Sequence, residues 1–271
     1  YREADRPEDV GKCLLTIANH FIMLEDYENA LPLYKEAYQL ALEHKSIELQ
    51  QVSGIMLIKY LCGAGYYSES LEYYNKIKPE IAFNPSMQNE VVKSYMELNK
   101  PDSARIYLAA RLLSERGDKI VLNCMMAETY IPEGQEDSVF VFLDRAMKSY
   151  KEKAKNYQKQ GREAILPNCF LSPCYLFADL LWKKGKIQQA SQYYMIVEPL
   201  MKERVKTPVR MELQIKALTN FSSFCRETKQ YEKALDLLAR RDSVLQTYLE
   251  FKAKNDKKNY AERLKIQELK H

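Results

Sequence analysis

The chain has 271 residues, only 8 of them glycine, although average glycine usage in proteins is about 7 %. Turns between strands depend on glycine, so this scarcity disfavours a strand-rich fold, and no glycine-rich phosphate-binding motif occurs. Hydrophobic residues make up 46 %, and 41 basic side chains nearly balance 37 acidic ones, which excludes a disordered chain and a strongly basic nucleic-acid-binding protein. We therefore expect a long array of helices.

The first predicted helix pair shows a spacing that recurs along the chain. Its apolar and small residues are Leu14, Ile17, Ala18, Phe21, Tyr27, Ala30, Tyr34 and Ala37. Apolar positions at i, i+3, i+4 and i+7 make one buried stripe on a helix. The small residues let the two helices approach closely, and the bulky aromatic residue fills the gap to the next pair. We therefore predict a helix hairpin near residues 11–44.

Five further copies of this pattern follow. They are predicted near residues 51–84, 85–118, 120–160, 171–205 and 215–248, and each is marked by the small residue of its second helix: Ser70, Ala104, Val139, Ala190 and Ala234. The second copy departs from the pattern at Gly54, which occupies a first-helix position that usually carries a large or polar side chain. Gly54 is also the one glycine expected inside a helix. A single hairpin cannot bury its stripe alone, so the hairpins are predicted to stack into one solenoid over residues 1–250.

The second helix of the fourth copy is predicted to be unusually long and basic. Residues 148–162 are strongly basic, and Gly161 ends the helix before a connecting loop at 160–173. A nucleic-acid or acidic-lipid site is disfavoured, because the segment contains only Tyr150 and Tyr157 as aromatic residues. We interpret the segment as a solvated helix face and expect no nucleic-acid binding.

The C-terminal segment is predicted to be one long helix. No helix breaker occurs after Leu238, so residues 232–270 would form a helix about 58 Å long at 1.5 Å per residue. Residues 251–271 are interpreted as a polar helical connector that is truncated here. No run of 18 apolar residues occurs in the chain, so any membrane attachment is expected outside these 271 residues.

The recurring pattern resembles the tetratricopeptide repeat (TPR) family from residue 10 to about residue 250. The family places Ala-x3-Phe-x2-Ala on the second helix of each repeat, and this chain has Ala30-x3-Tyr34-x2-Ala37 and Ala190-x3-Tyr194-x2-Val197. The resemblance implies an all-α fold, a right-handed α-solenoid of about six helix hairpins. It also implies that the first helices line a concave groove that binds a protein or peptide ligand.

By register with the repeat, the resemblance implies which residues form this groove. The predicted groove residues are Asn19, Lys59, Asn89, Lys93, Glu128, Tyr175, Asp179, Trp182 and Arg226. The N-terminal members are basic or amides and favour a carboxylate or an acidic peptide through charge-assisted hydrogen bonds. The C-terminal members are aromatic and mixed in charge. The competing interpretation is that all of them are ordinary solvated or partly packed helix positions.

The sequence offers few candidates for catalysis or metal binding. The six cysteines form no CxxC motif and the three histidines are scattered, so we expect no metal site, no cofactor and no enzymatic activity. Cys62, Cys124 and Cys225 are expected to be core or groove-lining residues. Cys169 and Cys174 fit either a local disulfide in an oxidising compartment or two reduced, half-buried thiols.

Two functions follow from resemblance. Tyr231-x2-Ala-Leu, then Arg241-Asp-Ser-Val and a polar helix, look like the sensor part of membrane-bound bacterial regulators of the Bacteroidetes type. In those proteins periplasmic TPR repeats precede a membrane helix and a cytoplasmic output domain. This similarity implies a periplasmic sensor or scaffold in signal transduction. The alternative is a free-standing cytoplasmic adaptor or co-chaperone that binds C-terminal carboxylate peptides. A homo-oligomer is compatible with both.

Overall fold

A computed structural model describes residues 7–24, 26–81, 87–114, 117–205 and 207–270. Within these residues the chain forms twelve α-helices, a short 3-10 helix and no strand. The α-helices are α1 Pro7–Met23, α2 Tyr27–Glu43, α3 Ile47–Gly63, α4 Tyr67–Ile81, α5 Gln88–Glu97, α6 Pro101–Leu113, α7 Lys119–Tyr130, α8 Glu136–Lys159, α9 Leu171–Lys183, α10 Ile187–Lys202, α11 Pro208–Glu227 and α12 Tyr231–Lys270, and the 3-10 helix is Asn168–Phe170. The predicted all-α helical-repeat fold is confirmed.

The chain divides into two compact units. The first contains α1 to α5, most of α6 and the end of α12 from residue 256, and the second contains residues 110–255. The long last helix predicted over residues 232–270 is confirmed, because α12 is continuous across the predicted boundary at residue 250. None of the helices in the described residues is both long and apolar enough to cross a membrane.

In the first unit, helices that follow one another pack together: α1 on α2, α2 on α3, α3 on α4 and α4 on α5. Ala18 and Ala30 are fully buried. Their small side chains allow α1 and α2 to approach closely, because a larger side chain would hold the two helices apart. Tyr34 is also fully buried and stacks on Tyr60 of α3, with ring centroids 5.2 Å apart. The alternation of small and bulky residues that predicts the hairpins is therefore the alternation that packs them.

Two glycines of the first unit lie where helices approach closely. Gly54 is buried inside α3, and a Cβ atom there would lie 2.8 Å from Cδ1 of Ile77 on α4. Gly11 is buried inside α1, and a Cβ atom there would collide with the side chain of Leu49 on α3. The expectation that Gly54 is the one glycine inside a helix is therefore wrong. Both positions serve helix-to-helix contact.

The second unit has a core that is rich in aromatic residues. Its helices pack as α7 on α8, α9 on α10 and α9 on α11, and the 3-10 helix contacts both α7 and α9. Ala190 is fully buried beside Tyr194, whose ring stacks on Phe221 with centroids 4.6 Å apart. Ala234 and Leu237 of α12 join the same core. Ala190 and Tyr194 therefore pack as Ala30 and Tyr34 do in the first unit: the alanine is fully buried, and the tyrosine ring stacks on an aromatic ring of the next helix.

Two predicted boundaries in the second unit are wrong. The connecting loop predicted at 160–173 ends earlier, because Asn168–Phe170 is a 3-10 helix and α9 begins at Leu171. Helix α11 begins at Pro208 rather than near residue 215, since proline is well accommodated in the first turn of a helix. The long basic α8 is confirmed, and its lysines after residue 150 are exposed, as a solvated face requires.

Candidate functional site

In the first unit, three predicted groove residues lie on two helices that pack together. Lys59 is on α3, and Asn89 and Lys93 are on α5; all three side chains are exposed. Sequence reasoning missed the acidic residue beside them, the half-buried Glu90. Burial raises the pKa of Glu90, and its own backbone N–H, Lys59 and Lys93 only partly offset that effect. The charges of Lys59 and Lys93 therefore act on a half-buried carboxyl group of the same unit.

The fourth predicted groove residue of the first unit, Asn19, has a packing role. Its side-chain oxygen accepts a hydrogen bond of 2.6 Å from the hydroxyl of Tyr34. This bond satisfies a polar group on a fully buried ring, whose pKa is raised chiefly by burial. Among the described residues, no hydrogen bond joins the side chain of Asn19 to Lys59 or Lys93. Its position on the first helix is therefore explained by the hairpin itself.

In the second unit, the structure brings three predicted residues together. Glu128 lies on α7, and Tyr175 and Asp179 lie on α9. Burial raises the pKa of Glu128 to about 7, and a hydrogen bond with the Ser172 side chain offsets only part of this. Burial raises the pKa of Tyr175 to about 12, with further contributions from the charges of Glu128 and Asp179. The charges of Glu128 and Asp179 therefore both act on the hydroxyl group of Tyr175.

Trp182 extends this group along α9. Tyr175, Asp179 and Trp182 are spaced i, i+4 and i+7 and share one side of the helix. Trp182 is half-buried and packs edge-on against Phe224 of α11, with ring centroids 5.7 Å apart. We call Glu128, Tyr175, Asp179 and Trp182 the α9 face. It combines two half-buried carboxyl groups with the half-buried ring of Trp182 and the buried ring of Tyr175.

The remaining predicted residue, Arg226, is exposed in the last turn of α11. In the described part of the chain, no hydrogen bond or ion pair joins Arg226 to the α9 face. Asp179 has a basic neighbour, since Lys183 lies 3.0 Å away one helical turn later. For Glu128, no basic side chain in the described residues acts on the carboxyl group. Glu128 is therefore the member of the α9 face that lacks a counter-charge.

Sequence reasoning also missed the thiols around Glu128. All six cysteines are free, and Cys62, Cys124 and Cys225 are buried as expected. Cys174 is buried, whereas Cys169 is half-buried in the 3-10 helix, which packs against α7. Nothing in the spacing of the sequence predicts that this helix meets α7. Within the described residues, no group of His, Cys, Asp and Glu side chains has an arrangement that could hold a metal ion.

Comparisons with known proteins find likeness in structure only. No family model and no curated protein matches the sequence. Among solved structures, the chain is similar to a single-substitution form of a Podosopora anserina putative kinesin light chain with nearly identical TPR-like repeats. The sequence identity is 14 % and the TM-score 0.48, covering 74 % of this chain and 97 % of that one.

Two other solved structures also match. A second crystal structure of the Podosopora anserina protein gives 12 % identity and a TM-score of 0.37, covering 89 % of this chain and 97 % of that one. The APC/C hetero-tetramer Cut9–Hcn1 gives 15 % identity and a TM-score of 0.32, covering 85 % of this chain and 46 % of that one. At these values the helical-repeat fold is established by the helices of this chain and their packing. A repeat fold does not by itself determine which ligand is bound, so the side chains decide that question.

Proposed function

We propose that this chain is a non-enzymatic binding module that takes a segment of a protein partner on the α9 face. The observation that supports this most is the state of Glu128. A carboxyl group removed from water loses hydration, which costs free energy unless hydrogen bonds or an opposite charge replace it. Ser172 provides one hydrogen bond, and no basic side chain of the described residues provides a charge. A lysine or arginine of a partner would do so.

The aromatic members of the α9 face define the rest of the ligand. Of the two aromatic rings on the same side of α9 as Asp179, Trp182 is half-buried and partly accessible, whereas Tyr175 is buried. Aromatic rings beside carboxylates bind cationic side chains through both apolar contact and cation–π attraction. The chemistry therefore favours a partner segment in which a basic residue lies next to an apolar one.

For the biological setting, we propose a sensor or scaffold role in a signalling regulator, with a periplasmic location. The continuous α12, from Tyr231 to Lys270, supports this proposal, since one long helix can carry a change from the second unit along the chain. The alternative is a cytoplasmic adaptor for carboxylate peptides. The exposed Lys59, Asn89 and Lys93 of the first unit favour that alternative.

The experiment uses the intrinsic fluorescence of Trp182, the only tryptophan of the chain. Three synthetic peptides are titrated: one containing Lys-Phe-Lys, one with Gln-Phe-Gln in its place, and an acidic one with a free C-terminal carboxylate. We expect the lysine peptide to change the emission and to bind more tightly as the pH rises through about 7, because the carboxylate of Glu128 then forms. Glu128→Gln should weaken this binding about tenfold at about pH 8, since a charged hydrogen bond is lost.

The matched control is Glu152→Gln, which removes an exposed carboxylate from α8 and should leave the affinity unchanged. Equal affinity for the lysine and glutamine peptides, or for wild type and Glu128→Gln, would contradict the proposal. Tight binding of the acidic peptide that disappears in the double variant Lys59→Ala and Lys93→Ala would support the adaptor alternative instead.

A further inference from the structure

A cavity of about 570 Å³ lies within the second unit, between the end of α10, the start of α11 and the middle of α12. Helix α12 is tied to its neighbours before and after this cavity. Lys233 pairs with Glu198 of α10 at 2.9 Å, and the hydroxyl of Tyr248 donates to Glu212 of α11 over 2.5 Å. A cavity of this size, bounded by three connected helices, is typical of a site for a small molecule.

Gln214 of α11 lines the cavity and is fully buried. Its side-chain nitrogen donates to the carbonyl oxygens of Leu200, Met201 and Glu203, at 3.3, 2.8 and 3.0 Å, where α10 ends. Three acceptors on one side fix which atom of the amide is the nitrogen. The other atom, Oε1, is buried and has no hydrogen-bond donor among the described residues. Because a buried acceptor without a donor costs free energy, an N–H group of a ligand would stabilise it.

The charges around the cavity favour an anionic ligand. Lys202, Arg204 and Arg240 line it, together with one acidic residue, Glu203. Lys202 and Arg240 each have an acidic neighbour one turn earlier on their own helix. Arg204 is exposed and forms no ion pair with the described residues. A carboxylate in the cavity would therefore meet a guanidinium group that has no counter-charge of its own.

The rest of the lining is largely apolar. Met201 and Met211 are buried, and Val205 and Val244 are half-buried. Methionine side chains are flexible and polarisable, so they adapt to apolar groups of different shapes. The cavity therefore combines an apolar wall, a buried amide oxygen and an excess of basic charge.

We propose that this cavity is a small-molecule site for an amphipathic carboxylate of the N-acyl amino acid class. The carboxylate pairs with Arg204 and Arg240, the amide N–H donates to Oε1 of Gln214, and the apolar groups pack on Met201 and Met211. A free amino acid is a poorer ligand, because the three basic side chains repel its ammonium group. The site shares no residue with the α9 face, so this inference does not depend on what that face binds.

The experiment titrates three synthetic probes into the full chain by isothermal titration calorimetry. N-hexanoyl-L-leucine has all three features of the ligand, N-hexanoyl-L-leucinamide lacks the carboxylate, and N-hexanoyl-N-methyl-L-leucine lacks the N–H group. We expect saturable binding of the first probe at one site per chain. The N-methyl probe should bind about tenfold more weakly, and the leucinamide more weakly still, because hydrogen bonds to a charged group are the stronger ones.

Arg204→Ala is the main variant, because this side chain is exposed and its loss leaves no acid in the described residues unpaired. Arg240→Gln is the second. Each should weaken the binding of N-hexanoyl-L-leucine about fivefold and leave the binding of the leucinamide unchanged, and circular dichroism checks the fold. The matched control is Lys216→Ala, which removes an exposed charge of α11 outside the cavity and should bind as wild type does.

Four outcomes would each overturn the proposal. They are no binding of N-hexanoyl-L-leucine, equal affinity for this acid and its leucinamide, equal affinity for the acid and its N-methyl form, and an equal loss of affinity in Lys216→Ala and Arg204→Ala.

Discussion

The two units each contain a half-buried glutamate, Glu90 and Glu128, but the two glutamates differ in their charged neighbours. In the first unit, the lysines at positions 59 and 93 are exposed, and they partly offset the cost of burying Glu90. In the second unit, Glu128 is also half-buried, but no basic side chain among the described residues acts on its carboxyl group. The comparison shows that basic side chains of the first unit act on Glu90, whereas none of the described residues provides such a charge for Glu128.

The aromatic residues of the two units differ in the same way. Tyr34 and Tyr194 occupy equivalent repeat positions, and both are fully buried. The hydroxyl of Tyr34 donates to Asn19, whereas the hydroxyl of Tyr194 finds no hydrogen-bond acceptor in the described part of the chain. The two equivalent tyrosines therefore differ in whether the buried hydroxyl has a hydrogen-bond acceptor among the described residues.

The largest effect is expected at the small positions that both units share. Ala30→Leu and Ala190→Leu place a larger side chain at fully buried positions between packed helices, so each should lower the free energy of unfolding by about 3 kcal/mol. Urea unfolding measures the change. The control is Gln188→Leu, at an exposed position of α10, which should be nearly neutral. A neutral result at either alanine would contradict the prediction that the two alanines occupy equivalent positions of the repeat.

The next effect distinguishes the two half-buried acids, Glu128 and Glu90. The pKa of Glu128 is about 7 in the folded chain and has an ordinary value of 4.5. The folded state therefore binds more protons between these values, and stability falls as the pH rises through them. Glu128→Gln should remove that slope and stabilise the protein by about 2 kcal/mol at about pH 8, as measured by urea unfolding across the pH range.

Glu90→Gln is the matched variant in the first unit. The pKa of Glu90 is also raised, but Lys59 and Lys93 oppose the shift, so the change of slope should have the same sign and be smaller. Equal slopes for the two variants would remove the electrostatic distinction between the units.

A smaller effect tests the two tyrosines. Tyr34→Phe removes the hydrogen bond to Asn19 and should cost about 1 kcal/mol of stability. Tyr194→Phe removes a buried hydroxyl without an acceptor in the described residues and should be neutral or slightly stabilising. Thermal unfolding of both variants measures the difference, and a larger loss at Tyr194 would reverse the comparison.

The smallest effect on stability is expected for the exposed lysines. The double variant Lys59→Glu and Lys93→Glu should change the free energy of unfolding by less than about 0.5 kcal/mol, because both side chains are exposed. It should also raise the pKa of Glu90, since two attractive charges become repulsive, and NMR titration of the Glu90 side chain measures this. A variant that fails to fold would show that the lysines are structural.

The candidate site is only partly predictable from the sequence. The register places Glu128, Tyr175, Asp179 and Trp182 on first helices, and the structure brings them together on α7 and α9. It does not predict the burial of Glu128 or the packing role of Asn19, because a periodic pattern states which side of a helix a residue occupies and not what covers it. For the same reason Glu90 escapes notice between its two lysines.

The sequence by itself determined the helices, since helical periodicity and small-to-bulky alternation are local properties that survive in any context. The predictions that are wrong concern Gly11, which lies against Leu49 of α3, and the loop before α9, which ends earlier than expected. Only the tertiary structure decided the surroundings of Glu128 and the packing of the 3-10 helix Asn168–Phe170 against α7. Desolvation and helix packing depend on neighbours far away in the sequence, and no local pattern encodes them.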